Sequence, residues 1–115
     1  MTSTLLSPSD RSVATEIAKR LVAAGQGRVR RVILYGSRTD GSAEFDSDFD
    51  LLVLESDVRA RRREAQRLWN SLDEMKRRAD VRVMRLADFE STRSTIGGLA
   101  YPAAKYGVVL YDVTG

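Results

Sequence analysis

The 115-residue chain contains no cysteine. That excludes a disulfide frame and any thiolate metal site. It contains no histidine either, which excludes imidazole general bases, His-ligated zinc and Ser-His-Asp triads. Catalysis here has to run on carboxylates, hydroxyls, Lys, Arg and recruited metal ions. Proline is scarce, with two residues, and aromatics amount to 7%. No apolar run approaches the roughly 18 residues needed to span a bilayer. The N-terminal MTSTLLSPSD lacks a basic segment followed by an apolar one, so no signal peptide is expected and a cytoplasmic location is.

The composition that remains is that of a globular protein: 43% hydrophobic and 30% charged. A chain of this length buries about two thirds of its unfolded surface, and residues 1–115 are expected to form one domain. The net charge of +3 permits a polyanionic ligand without demanding one.

Periodicity orders the elements. Ser7-Pro8-Ser9-Asp10 opens a helix, with Ser7 as cap, Pro8 in the first helical position and Asp10 at the positive end of the dipole. Val13, Ile17 and Leu21 form its apolar stripe, and Gly25 and Gly27 stop it. Val29 to Tyr35 reads as a strand, Gly36 to Ser47 as a polar loop, and Asp48 to Leu54 as a second strand. Ser56 or Asp57 is expected to cap a long helix burying Val58, Ala65, Leu68, Trp69, Leu72 and Met75. Asp80 to Arg85 is a third strand. A short helix around Asp88 to Thr95 and another from Pro102 to Gly107 follow, and Val108 to Tyr111 is the last strand. Tyr101, Tyr106 and Tyr111 read as packing residues. The order predicts an α+β, two-layer fold: a mixed sheet of about four strands with helices mainly on one face.

Three features carry chemistry. Gly36-Ser37 directly follows a strand, where glycine lets the backbone approach a ligand and the following amides and the Ser37 hydroxyl can hold phosphate oxygens; the plain alternative is an ordinary turn. Asp48-x-Asp50 opens an apolar strand. Residues i and i+2 share a face, so the two carboxylates repel unless a cation compensates. Mg²⁺ is hard, prefers oxygen and bridges carboxylates to phosphates. The competing reading is a solvated strand edge. Asp80 opens the next strand and can add a third carboxylate that accepts a proton, or it is simply a loop residue.

Together, Gly36-Ser37, ten intervening residues, Asp48-x-Asp50 and the later Asp80 resemble the nucleotidyltransferase domains of the DNA polymerase β superfamily. The size matches the minimal nucleotidyltransferase group, which includes the MntA-type antitoxins that partner HEPN-domain toxins. Lys105 to Tyr111 is similar to that group's final strand, so the resemblance runs from Val29 to Tyr111. It implies that Gly36, Ser37 and Arg38 contact the triphosphate, and that Asp48, Asp50 and Asp80 are both catalytic and ligands of two Mg²⁺ ions bound with ATP or another NTP. It implies transfer of NMP, AMP in the first instance, to an acceptor hydroxyl, such as a tyrosine of a HEPN toxin. Asp40 replaces the small or basic residue expected before Gly41. Arg82 shares the face of Asp80 and is expected to pair with it in the absence of metal.

The competing function is a non-catalytic antitoxin module, binding nucleotide or protein and neutralising its partner by occlusion. A small-molecule nucleotidyltransferase is expected to carry an added helical domain, for which 115 residues leave no room. The partner is expected to be a HEPN-type toxin or a second copy of the chain. Arg59, Arg61, Arg62, Arg63 and Arg67 read as a solvated helix face before they read as a docking surface. No nucleic-acid module is present.

Overall fold

The structure, a computed structural model, describes residues 6–75 and 77–114. The first five residues and Gly115 lie outside the described residues, and with them part of the segment judged not to be a signal peptide.

Helix α1 spans Pro8–Ala24. The Ser7 hydroxyl accepts a hydrogen bond from the Asp10 amide at 3.1 Å, the capping geometry expected from the sequence. Ala14, Ile17, Ala18 and Leu21 form its buried stripe. Strand β1 is Val29–Tyr35 and β2 is Phe49–Glu55, with a four-residue helix α2, Ser37–Asp40, between them. Helix α3 is Arg61–Asn70, β3 is Ala79–Arg85, α4 is Leu86–Thr92, α5 is Ala100–Tyr106 and β4 is Val108–Asp112.

The strands form one mixed sheet in the order β3-β2-β1-β4. β1 is antiparallel to both β2 and β4, while β2 and β3 run parallel, with α3 in the crossover as a parallel pair requires. Residues alternate between two faces. Val32, Leu34, Leu51, Val53, Val81 and Val83 pack beneath α1 and α3, and Ile33, Leu52 and Leu54 pack against Phe89 of α4 and Ala100 and Ala103 of α5. The long helices thus share one face, as expected, and the short ones close part of the other. Each fully buried leucine, Leu51 or Leu68 for example, contributes roughly 1.5–3 kcal/mol.

Three expectations need correction. Helix α3 begins at Arg61, not near Asp57, and ends at Asn70. Val58 still reaches the core, but from the preceding loop. At the far end the Ser71 hydroxyl donates to the Leu68 carbonyl at 2.5 Å and the chain tightens into a 3₁₀ turn, Asp73–Met75. Trp69, expected in the core, is 45% exposed. Its indole N–H donates to the Ala79 carbonyl at 3.0 Å, which fixes the ring at the β3 edge. Tyr106 is likewise exposed.

One buried charge group lies away from the strand starts. Glu55, at the end of β2, is fully buried, and neither carboxyl oxygen accepts a hydrogen bond among the described residues. Arg28 Nε lies 3.5 Å away and Glu64 of α3 stands beside it. Burial, then the Glu64 carboxylate, push the Glu55 carboxyl up to about 8, and hydrogen bonds from Arg67 hold Glu64 down at about 2. Folded Glu55 therefore keeps a proton that the unfolded chain releases near the ordinary value, so stability falls as pH rises between about 4.5 and about 8. Glu55→Gln is expected to flatten that slope. Urea unfolding across this pH window checks it; a wild-type protein whose stability rises over the same window contradicts it.

Candidate active site

The chemistry-bearing residues converge at one end of the sheet because the strand register brings them there. Tyr35, the last residue of β1, is opposite Asp50, and Asp50 is opposite Asp80 across the parallel β2–β3 pair. All three lie on the face that α4 and α5 cover only in part, since they alternate with Leu34, Leu51 and Val81 of the opposite face.

Gly36 follows directly, with φ 84° and ψ −156°. This region is essentially restricted to glycine. A Cβ at this position would stand 2.3 Å from Asp50 Oδ2. Glycine is thus required twice over, by its dihedrals and by the carboxylate packed on it. The Thr39 amide and hydroxyl both donate to the Gly36 carbonyl, at 2.9 and 2.7 Å, closing the turn. Ser37 begins α2, and its hydroxyl makes no hydrogen bond among the described residues. Asp40 turns away: it accepts from the Ser42 amide at 2.9 Å, and its bonds from Ser42 hold its carboxyl below the ordinary range.

Arg38 organises the loop. Its guanidinium donates to both oxygens of Asp10 at 3.2 Å and to the carbonyls of Phe45 and Ser47 at 3.1 and 2.7 Å, and lies 4.5 Å above the Phe49 ring. It ties the loop between α2 and β2 to the start of α1. With these bonds made, its charge stays beside Ser37 while most of its donors are committed to protein.

The carboxylates are arranged unequally. Asp48 lies one residue before β2, because the Phe49 amide donates to the Arg78 carbonyl at 2.9 Å and starts the pairing there. Arg78 Nε holds Asp48 at 3.0 Å, and Arg82 Nε holds Asp80 at 3.4 Å, the pairing expected for Arg82. Asp50 makes no ion pair among the described residues. Burial, then the charges of Asp80 and Asp48, push its carboxyl above the ordinary value. The same burial, with Asp50 and Asp80, pushes the Tyr35 hydroxyl up to about 12. Among the described residues no three acidic side chains form a ready-made cage. The donor set nevertheless suits a hard divalent ion. It offers only oxygens from adjacent strand starts, and Arg82 relieves their repulsion at Asp50 only in part.

Tyr35 was missed in the sequence, where it reads as the end of an apolar strand. Its position immediately before Gly36 is the signal that places it at the site. Arg78, the partner of Asp48, had no sequence signal, because their pairing depends on how β2 and β3 align.

A glycine turn at a strand end faces carboxylates on two neighbouring strands, carried on a small mixed sheet of an α+β domain. Residues 17–113 match the family described as Polymerase beta, Nucleotidyltransferase, and the chain belongs to that family. Among proteins of curated function, none matches the sequence. The fold is similar to solved structures of toxin–antitoxin complexes. One, a toxin–antitoxin with AMP-PNP, has a TM-score of 0.58 and 19% identity, covering 87% of this chain and 74% of the other. An MntA–HepT complex gives 0.53 and 17%, covering 89% and 73%. A tri-AMPylated Shewanella oneidensis HEPN toxin in complex with MNT antitoxin gives 0.51 and 18%, covering 90% and 73%. At these identities the likeness is one of fold.

Gly36→Ala is expected to lower stability by about 1–3 kcal/mol through the strained dihedral alone, and to displace the Asp50 carboxylate. Urea unfolding measures the first effect and binding of Mg·ATP the second. A variant that binds Mg·ATP like the wild type contradicts the placement of Gly36 against Asp50.

Proposed function

We propose that the chain is a Mg²⁺-dependent nucleotidyltransferase that moves NMP, AMP in the first instance, from an NTP to an acceptor hydroxyl, and that the acceptor is a tyrosine of a HEPN-type toxin partner in the cytoplasm. The observation that carries the reading is the direct pairing of Asp50 with Asp80 beside the Gly36 turn. The similar structures support the partner and the nucleotide, since one contains AMP-PNP and another an AMPylated HEPN toxin.

In this reading Gly36 and Ser37 receive the triphosphate: the glycine leaves the backbone open and the unbonded Ser37 hydroxyl donates to a phosphate oxygen. Arg38 adds positive charge and fixes the loop that borders the phosphates. Asp48, Asp50 and Asp80 would hold Mg²⁺, which would neutralise the triphosphate charge. Asp80 accepts the proton of the attacking hydroxyl. The acceptor oxygen bonds to the α-phosphorus as the bond to the leaving pyrophosphate breaks, so chemistry rests on positioning and charge, which suits a chain without histidine.

A second reading has its own observation. Arg78 and Arg82 already satisfy Asp48 and Asp80, so the site is stable enough to serve a non-catalytic module that neutralises its partner by occlusion.

Transfer of label from α-³²P-ATP to a co-purifying protein decides between them. Label is expected with the wild type and is expected to vanish in a folded Asp48→Asn variant. Undiminished transfer by that variant contradicts the assignment of Asp48. Metal-dependent nucleotide binding with no label on any acceptor favours the occlusion module.

A further inference from the structure

Helix α3 starts without a side-chain cap. Ala60 precedes its first residue, Arg61, and offers no acceptor beyond its carbonyl. The amides of the first turn therefore have no intrahelical carbonyl to bind, and the positive end of the dipole stands with them. Such an end is ordinarily met by water. This one opens on a pocket of about 230 Å³ between α3, the end of β2 and the loop before β1. Ala60, Arg63, Glu64 and Arg67, spaced i, i+3, i+4 and i+7, are the α3 face of that pocket.

Four arginines line it: Arg28, Arg59, Arg63 and Arg67. Arg67 is spent, since it donates to both oxygens of Glu64 and to the Ala24 carbonyl. Arg28 gives one nitrogen to Glu64 at 3.2 Å and its side chain stays 39% exposed. Arg59 and Arg63 join no ion pair among the described residues. Asp57 and Glu64 supply the opposing charge. The deciding group is Glu55, which also lines the pocket. It is fully buried, and neither oxygen has a hydrogen-bond partner among the described residues. Arg85, opposite it on β3, is committed to Asp88. An ionised Glu55 would cancel the charge of Arg28 beside it. With Glu55 neutral, four positive charges face two negative ones.

We infer that this pocket binds a phosphate group, free or as the terminal monoester of a small molecule, held by the first amides of α3 and by Arg28, Arg59 and Arg63. A tetrahedral oxyanion accepts from several directions at once, and helix-end amides and guanidinium groups are the donors that suit it. The site is separate from the one at Gly36. Asp50 is the second residue of β2 and Glu55 its last, so they lie about 17 Å apart along the strand. The inference does not depend on the transferase reading.

Binding of inorganic phosphate to the full chain is measured by titration calorimetry at low ionic strength without divalent metal, with glycerol 3-phosphate and sulfate as further probes. Saturable binding of phosphate at one site per chain is expected. The double variant Arg59→Ala/Arg63→Ala is expected to weaken it at least roughly tenfold, as loss of charged donors does, with Mg·ATP binding unchanged. Tighter binding of glycerol 3-phosphate than of phosphate supports the site with a monoester as its ligand, and the reverse order supports it with free phosphate.

Sulfate tests Glu55, because sulfate keeps its charge across the neutral range. The chain has no histidine or cysteine, so Glu55, pushed up to about 8, is the lining group whose charge changes between about pH 6 and 9. Below that point the carboxyl is neutral; above it the carboxylate repels the anion. Sulfate affinity is expected to fall roughly tenfold through it in the wild type and to stay level in Glu55→Gln. Absence of saturable phosphate binding, or full affinity in the double arginine variant, overturns the inference. So does phosphate binding that Ser37→Ala abolishes and the arginine variant keeps, which puts the anion in the Gly36 turn. A wild-type sulfate affinity that is level with pH overturns it as well, since the arginines are then not freed by a neutral Glu55.

Discussion

The site depends on the repulsion at Asp50, which Arg82 offsets only in part. Its carboxylate lies between the open backbone of Gly36, the Tyr35 side of β1 and the Asp80 carboxylate, with no ion pair among the described residues. Such an arrangement costs folding free energy in the empty protein. A polymer selected only for stability would place an asparagine or an apolar residue there. The apolar run that follows, Leu51 to Leu54, is fully buried and anchors the strand, so the strained end is held by a well-packed one. Stability in the middle of β2 offsets the cost at its first residues.

The arginines around the site have different tasks, and the geometry separates them. Arg38 is a structural clamp that ties the loop before β2 to the start of α1 and stacks on Phe49. Arg78 and Arg82 are counter-ions for Asp48 and Asp80. These two pairs are exposed enough that each contributes only about 0–1 kcal/mol, so a divalent ion can replace them without a large loss. Arg62 joins no ion pair among the described residues and lines a cleft between α3 and β3. The unequal treatment of three similar carboxylates, two paired and one not, puts Asp50 at the centre of charge in the site.

Much of this was legible in the sequence. Dense apolar runs located β1, β2, β3 and β4 to within a residue or so, and Ser7-Pro8 placed the start of α1. The spacing of Gly36-Ser37, Asp48-x-Asp50 and Asp80 singled out residues that the fold brings to one end of the sheet, and the alternation rule foresaw the Arg82–Asp80 contact. What failed was tertiary. Trp69 satisfies the helical periodicity of a core residue, yet α3 lies at the sheet edge and the ring stays half in solvent. The late start of α3 and the role of Arg38 depend on loop contacts that no local pattern encodes. Tyr35 needed the β1–β2 register to be recognised as part of the site.

The central claim is that the repulsion at Asp50 is relieved by a metal–nucleotide ligand. Thermal unfolding with Mg²⁺, with a non-hydrolysable ATP analogue, and with both tests it most directly. The account predicts a large rise in Tm only with both ligands in the wild type. It predicts that Asp50→Asn starts from a higher Tm without ligand and then gains nothing from the pair. An Asp50→Asn protein that starts lower and gains as much as the wild type would contradict it.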